Sequence, residues 1–239
     1  MRLMISVVSS EEAQEALDGG AEILDVKNPV EGSLGAQVPG VIRAITELAG
    51  GRVQVSAAIG DLPNLPGTAA LAALGAAMCG ADFVKVGLQG PRTSAEAVAV
   101  LGAVKDALQG LPTVVIAGAY ADFERAGTLD PKDLPGIAAA AGVGGCLIDT
   151  AIKDGKSLFD FLKPEEVGEL AVEAHAAGLL FAVAGTLGEK DLAIVQRLGA
   201  DVVGLRTAVC QDNRRTGRLD AEQVRRLVAA IKQPLQEKG

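Results

Sequence analysis

Aromatic residues are nearly missing from this chain: Trp is absent, Tyr occurs once and Phe five times in 239 residues. A core without large rings must be assembled from Val, Ile, Leu and Ala, the usual composition of α/β proteins whose parallel strands are buried on both faces. The same scarcity, with a net charge of −8 and no clustered Lys/Arg stripe, argues against nucleic acid and against an anionic membrane surface as partners. Histidine is represented by His175 alone, in "VEAHAAG" on what reads as an outer helix. One histidine cannot build a multi-His zinc site, and at that place it cannot serve a Ser-His-Asp triad at strand ends. The three cysteines, Cys79, Cys146 and Cys210, match no zinc spacing and cannot form an even disulfide framework, which fits a reducing cytoplasm. No stretch approaches the roughly 20 apolar residues of a membrane span, and "MRLMISVVSS" is too short for a secretory signal. The expectation is a cytoplasmic protein that acts on a small metabolite through its own side chains, without a metal or cofactor.

What the chain does contain is an alternation. Eight apolar, β-branched runs, "LMISVV", "EILDVK", "VQVSAA", "DFVKVG", "VVIAGA", "CLIDT", "LFAVAG" and "DVVGLR", are each followed by an Ala/Leu/Glu-rich stretch of helical spacing. These stretches begin near Ser10, Val38, Gly67, Ser94, Lys132, Pro164, Glu189 and Asp220, and "SSEEAQEAL" reads as a capping box opening the first. No linker divides the chain, so residues 1–239 are predicted to form a single-domain (β/α)8 TIM barrel with the last few residues frayed. A doubly wound open sheet is the competitor, and the absence of a Gly-x-Gly-x-x-Gly turn after the first strand favours the barrel.

In a parallel barrel, alternate strand residues face the helices and the interior, and active sites sit at the strands' C-terminal ends. Leu24, Val26, Val84, Val86 and Ile148 are then predicted to face the helices. Asp25, Lys27, Phe83, Lys85, Gly87, Leu147 and Asp149 face inward, with Val202, Gly204 and Arg206 from the last strand. Lysines in such an interior are informative, because burial and a neighbouring ammonium both favour the neutral amine that attacks a carbonyl and forms a Schiff base. Lys27 and Lys85 have that placement, and Lys153 lies at the mouth within reach of an anionic substrate. The competing structural reading is buried ion pairing, of Asp25 with Lys27 or of Asp149 with Lys85. After strand seven, "AGTLGEKD" offers Gly185, Thr186 and Gly188 before a helix. After strand eight, "GLRTAVCQDNRRTG" offers Gly204, Arg206 and Thr207. Loops at these positions bind phosphate in phosphate-using barrels, though any tight βα turn also uses glycine. Asp61, Thr68, Tyr120 and Asp122 lie in further loops at the mouth, where turn roles would explain them equally well. The Ala-rich "AALAALGAAMCGA" suggests helices that pack against sister subunits, hence a homo-oligomer.

The stretches "DVKNPVEGSLGA", "GADFVKVGL", "AGAYAD" and "LIDTAIKDGKSLFDF" closely resemble the (5-formylfuran-3-yl)methyl phosphate synthases, also called 4-(hydroxymethyl)-2-furancarboxaldehyde-phosphate synthases, of methanofuran biosynthesis. The resemblance runs from strand one to "GRLD" near residue 220. It implies a (β/α)8 lyase that joins two glyceraldehyde 3-phosphate molecules with loss of one phosphate and two waters. It implies that Lys27 forms the Schiff base, that Lys85 accepts a proton, and that Asp25, Asp149 and Lys153 support them. An enamine on Lys27 attacking the second triose's aldehyde is the expected carbon–carbon step. The alternatives are a Schiff-base aldolase of another sugar phosphate and a non-catalytic phosphometabolite-binding barrel.

Overall fold

The computed structural model describes residues 1–232, and the terminal residues expected to fray lie outside that range. Strands β1 (Arg2–Val7), β2 (Ile23–Val26), β3 (Gln54–Asp61), β4 (Phe83–Gly87), β5 (Val114–Tyr120), β6 (Gly145–Asp149), β7 (Leu180–Val183) and β8 (Val202–Leu205) close in chain order into one parallel barrel. Helices α1 (Ser10–Gly19), α2 (Pro39–Ala49), α3 (Pro66–Met78), α4 (Ser94–Ala107), α6 (Leu134–Ala141), α7 (Pro164–Ala176), α8 (Glu189–Arg197) and α9 (Ala221–Lys232) form the outer ring, and the one-turn α5 (Phe123–Ala126) interrupts the connection after β5. Among the described residues no helix is long and apolar enough to cross a membrane.

Strand parity follows the predicted split. Leu24, Val26, Val84, Val86 and Ile148 are fully buried in the annular core between strands and helices. Small residues on the helices let that core close without aromatics: α3 contributes Ala69, Ala73 and Ala76, one per turn. The outer side of α3 leaves Leu71 and Met78 74% and 65% exposed, the surface on which the expected self-association would rest. Inside the barrel, Met4, Ile23 and Val202 pack together as one cluster, while Ala58, Phe83, Ile116, Leu147 and Ala184 form another.

That second cluster includes a residue from outside the sheet. The loop joining β2 to α2 turns inward and inserts Leu34, fully buried, into the barrel. Asp61 at the end of β3 holds this plug: its carboxylate accepts from the Ser33 amide at 2.7 Å and the Leu34 amide at 3.2 Å, and from the Tyr120 hydroxyl. The Gly60 amide donates back to the Leu34 carbonyl at 2.9 Å. Gly87 must lack a side chain here, since a Cβ would collide with the Tyr120 hydroxyl and lie 2.9 Å from Asp61 Oδ1. Burial, together with the Asp61 carboxylate, holds the Tyr120 phenol well above its ordinary pKa, so it remains a donor. Asp122 does similar work next door, accepting from the amides of Ala151 at 2.6 Å and Ile152 at 3.0 Å in the loop after β6. Both loops are thus tied down by side chains from neighbouring strands. Tyr120→Phe is expected to cost about 1–3 kcal/mol, because it removes the buried hydroxyl that donates to the Asp61 side chain. Urea unfolding measures that loss, and an unchanged midpoint would mean that the hydroxyl does not hold the plug.

Candidate active site

Asp25, Lys27, Lys85, Asp149 and Lys153 meet around a cavity at the C-terminal end of the barrel, with Arg206 and Arg215 also at its wall. Asp25 on β2, Lys85 on β4 and Asp149 on β6 are 1%, 3% and 1% exposed, and Lys27, one residue beyond β2, is 6% exposed. Lys153 reaches back from the loop after β6. Each expected ion-pair partner is different from the one predicted. Residues i and i+2 of a strand share a face but stand about 6.6 Å apart. Asp25 therefore pairs across the barrel, 2.6 Å from Lys85 Nζ, rather than with Lys27 along its own strand. Ser6, its register partner on β1, donates to its other oxygen at 2.9 Å. Asp149 pairs with Lys153 at 2.6 Å rather than with Lys85, and also accepts from the Thr150 amide at 2.8 Å. Burial works against the Asp149 carboxylate, but the Lys153 and Lys27 ammonium groups and these hydrogen bonds outweigh it and hold the pKa far below the usual range. Ser33 of the plug loop completes the wall, its hydroxyl 2.8 Å from the Thr150 carbonyl and 3.2 Å from Asp149.

Lys27 is the lysine left over. It lines the cavity, and its side-chain amine has no ion-pair or hydrogen-bond partner among the described residues. Burial lowers its pKa to about 8, opposed by Asp149 and Asp25 and assisted by Lys85 and Lys153. About a tenth of the amine is then neutral at pH 7, against well under a thousandth for an ordinary lysine. The arrangement provides a nucleophilic amine flanked by two charge-balanced pairs that can shuttle protons. Capture of an aldehyde on Lys27 by borohydride is expected to speed up with pH through an apparent pKa near 8. Trapping rates from about pH 6 to 11.5 decide it, and a limb near 10.5 would remove Lys27 as the activated group.

The expected anion cradle divides into parts. Gly185, with φ 109°, and Thr186, held at φ 53° where a β-branched residue is strained, line the cavity together with Thr207. Among the described residues the Thr186 and Leu187 amides donate to no protein acceptor, while the Gly188 amide is taken by Asp191 at 2.9 Å. Gly204 also borders the cavity, but a Cβ there would lie 2.8 Å from Met4 Cε, so its smallness serves packing within the barrel. Arg206 departs from its expected phosphate role because every guanidinium donor is already used. Glu12 takes it in a two-pronged pair, and the carbonyls of Ser6, Arg215 and Gly217 accept the rest. Glu12 lies in the "SSEEAQEAL" stretch that reads as a capping box, where Glu11 or Glu12 could supply the first-turn acid. The structure keeps Ser9 as the cap of α1, accepting from the Glu12 amide, and turns the Glu12 carboxylate inward to Arg206 and the Val8 amide. His175 lies on the outer ring, paired with Asp201 at 2.9 Å. Of the charged residues lining the cavity, one went unnoticed in the sequence, Arg215. Its only signal was the basic run "NRRTGR", which marks no single position.

Residues 3–228 match the family model of 4-HFC-P synthase. The (5-formylfuran-3-yl)methyl phosphate synthase of Methanopyrus kandleri is 49% identical over 233 residues, which are 96% of this chain and 98% of that one. Its counterpart from Methanothermobacter thermautotrophicus is 46% identical over 229 residues, 95% and 97% of the two chains. Among solved structures, phosphoribosyl anthranilate isomerase from Thermococcus kodakaraensis aligns with a TM-score of 0.66 over 98% of this chain and 99% of that one at 15% identity. Orotidine 5'-monophosphate decarboxylase from Methanocaldococcus jannaschii gives 0.64 over 94% and 96% at 19% identity, and at such identities the likeness is one of fold. With the barrel, the matched length and near-half identity agreeing, the chain belongs to the 4-HFC-P synthase family of enzymes.

Proposed function

We propose that this enzyme joins two molecules of glyceraldehyde 3-phosphate, one held as a Schiff base on Lys27, into 4-(hydroxymethyl)-2-furancarboxaldehyde phosphate, releasing one phosphate and two waters. The observation that carries the reading is the unpaired, buried Lys27 amine, its pKa brought to about 8 between the Asp25–Lys85 and Asp149–Lys153 pairs. An iminium on Lys27 acidifies the neighbouring carbon, and the Lys85–Asp25 pair is assigned to take that proton. Asp149 and Lys153 are assigned to proton movement on the opposite side of the cavity, and Gly185, Thr186 and Thr207 to holding a phosphate.

The product skeleton changes one expected step. Attack of an enamine on the second triose's aldehyde would build the new bond at that triose's first carbon. The relatives' name puts the formyl group at ring position 5 and the phosphomethyl group at position 3. Only a bond between the formerly phosphate-bearing carbon of one triose and the middle carbon of the other gives that pattern. Proton removal from the Lys27 iminium expels phosphate from the next carbon and leaves an electron-poor alkene. The enediolate of the second triose adds to it through its middle carbon. Ring closure between the two remaining carbonyl carbons and loss of the ring hydroxyl release two waters, and hydrolysis frees Lys27. All atoms balance with no change in overall oxidation level, so the reaction calls for no oxidant or reductant. The same reading puts the step in the cytoplasm, in a homo-oligomer supplying the furan of a methanofuran-type one-carbon carrier.

The test is incubation with glyceraldehyde 3-phosphate, one sample reduced with borohydride and mapped by peptide mass spectrometry, a second assayed for phosphate and furan absorbance. A reduced adduct on Lys27 with furan and phosphate in the second sample is expected. An adduct without either product would make the enzyme a simple Schiff-base aldolase, and neither adduct nor product would leave a binding protein.

A further inference from the structure

We infer that Arg215, carried on the strap between β8 and α9, is a phosphate-binding residue of the cavity, and that Arg206 serves to position it. The inference rests on the triose phosphate reading of the site and assigns the group that meets one of the two phosphates.

Charge accounting around the mouth singles this residue out. Lys85 is matched by Asp25, Lys153 by Asp149 and Arg206 by Glu12. Lys27 is unmatched, but its depressed pKa lets it shed its charge. Arg215 makes no salt bridge among the described residues, though the Asp149 and Asp61 carboxylates act on it from a distance, and a guanidinium stays charged at any working pH. It lines the cavity and is partly buried, so solvent only partly screens that charge. One nitrogen, Nη2, rests 2.8 Å from the Gly32 carbonyl and 3.4 Å from that of Ser33, bridging the strap to the plug loop. Nε and Nη1 have no protein acceptor among the described residues, so two of the three guanidinium nitrogens keep free N–H donors for phosphate oxygens.

The strap is built to hold the guanidinium there. Arg206 Nε donates to the Arg215 carbonyl at 2.9 Å, and Arg206 Nη2 to the Gly217 carbonyl at 3.1 Å. Arg206 is fixed in turn by the Glu12 carboxylate and the Ser6 carbonyl. A buried arginine whose five donors are all consumed by the protein, two of them on the backbone flanking an arginine with free donors, is a support for the second. The amides of Thr186 and Leu187 lie on the β7 side of the same cavity, which gives two phosphates two separate holders.

Calorimetric titration with inorganic phosphate tests Arg215 without requiring turnover. Arg215→Ala is expected to weaken phosphate binding about 10- to 100-fold, the loss typical of charge-assisted hydrogen bonds. Arg215→Lys, which keeps the charge but not the planar, multi-donor guanidinium, should fall between. In turnover, the half-saturating triose phosphate concentration should rise by a similar factor in the same order. Unchanged phosphate affinity in both variants, or no phosphate binding by the wild type, overturns the assignment. So does a raised half-saturating concentration with unchanged phosphate affinity, which would make Arg215 a latch on the plug loop only. Failure of the triose reaction itself reads differently: wild-type enzyme then binds phosphate through Arg215 yet yields no Lys27 adduct or furan.

Discussion

Lys27→Met is expected to abolish borohydride trapping and to lower turnover by on the order of 10⁴-fold or more, the scale set by losing a covalent nucleophile. Lys27→Arg should be as inactive. The arginine preserves the positive charge in the cavity but never becomes a neutral nucleophile, so this pair of variants separates nucleophile from counter-ion. Retention of more than about a tenth of the turnover by Lys27→Arg would end the Schiff-base assignment. Stability should move independently of activity. The Lys27 pKa falls from 10.5 in the unfolded chain to about 8 in the native one, so between these values the unfolded state binds more protons. Stability from this group therefore rises as pH climbs from about 8 to 10.5, and at pH 7 the buried ammonium costs on the order of 3 kcal/mol. Met fills a similar volume without that cost. Lys27→Met should unfold at a urea concentration no lower than wild type at pH 7 and lack the alkaline rise.

The barrel was legible because its signals are periodic and local. Alternation in "ILDVK" and "FVKVG" assigns each side chain to a face, and the caps and turn residues mark where helices start. The same parity brought Asp25, Lys27, Lys85 and Asp149 to one end of one cavity, as observed. Partner choice was not legible, since it depends on strand register and side-chain reach around the ring. Asp25 meets Lys85 two strands away, while Lys153 folds back over four residues to Asp149. The role of "EGSLGA" was equally hidden: nothing local announces that Leu34 will plug the barrel under Asp61 and Tyr120. Arg206 was misread for a similar reason. Its inward direction was predicted correctly, but its competitor for the phosphate, Glu12, lies 194 residues earlier.

That long-range pair carries the second large effect, expected for Glu12→Ala. The Glu12 and Arg206 side chains are 11% and 6% exposed, so removing the carboxylate leaves a buried guanidinium uncompensated. Such a loss costs about 3–5 kcal/mol, which for a chain of this size lowers the melting temperature by roughly 6–20 °C. The Arg206 carbonyl contacts to residues 215 and 217 should loosen with it, so phosphate affinity falls alongside stability. The two consequences come apart in the double variant Glu12→Leu with Arg206→Met. Apolar replacement of a buried pair is often neutral or stabilising, so much of the lost melting temperature should return. Phosphate affinity should not return, because no guanidinium remains to hold the strap that carries Arg215. Recovery of both properties together would mean that the pair acts only through general stability, and that the strap finds its place without it.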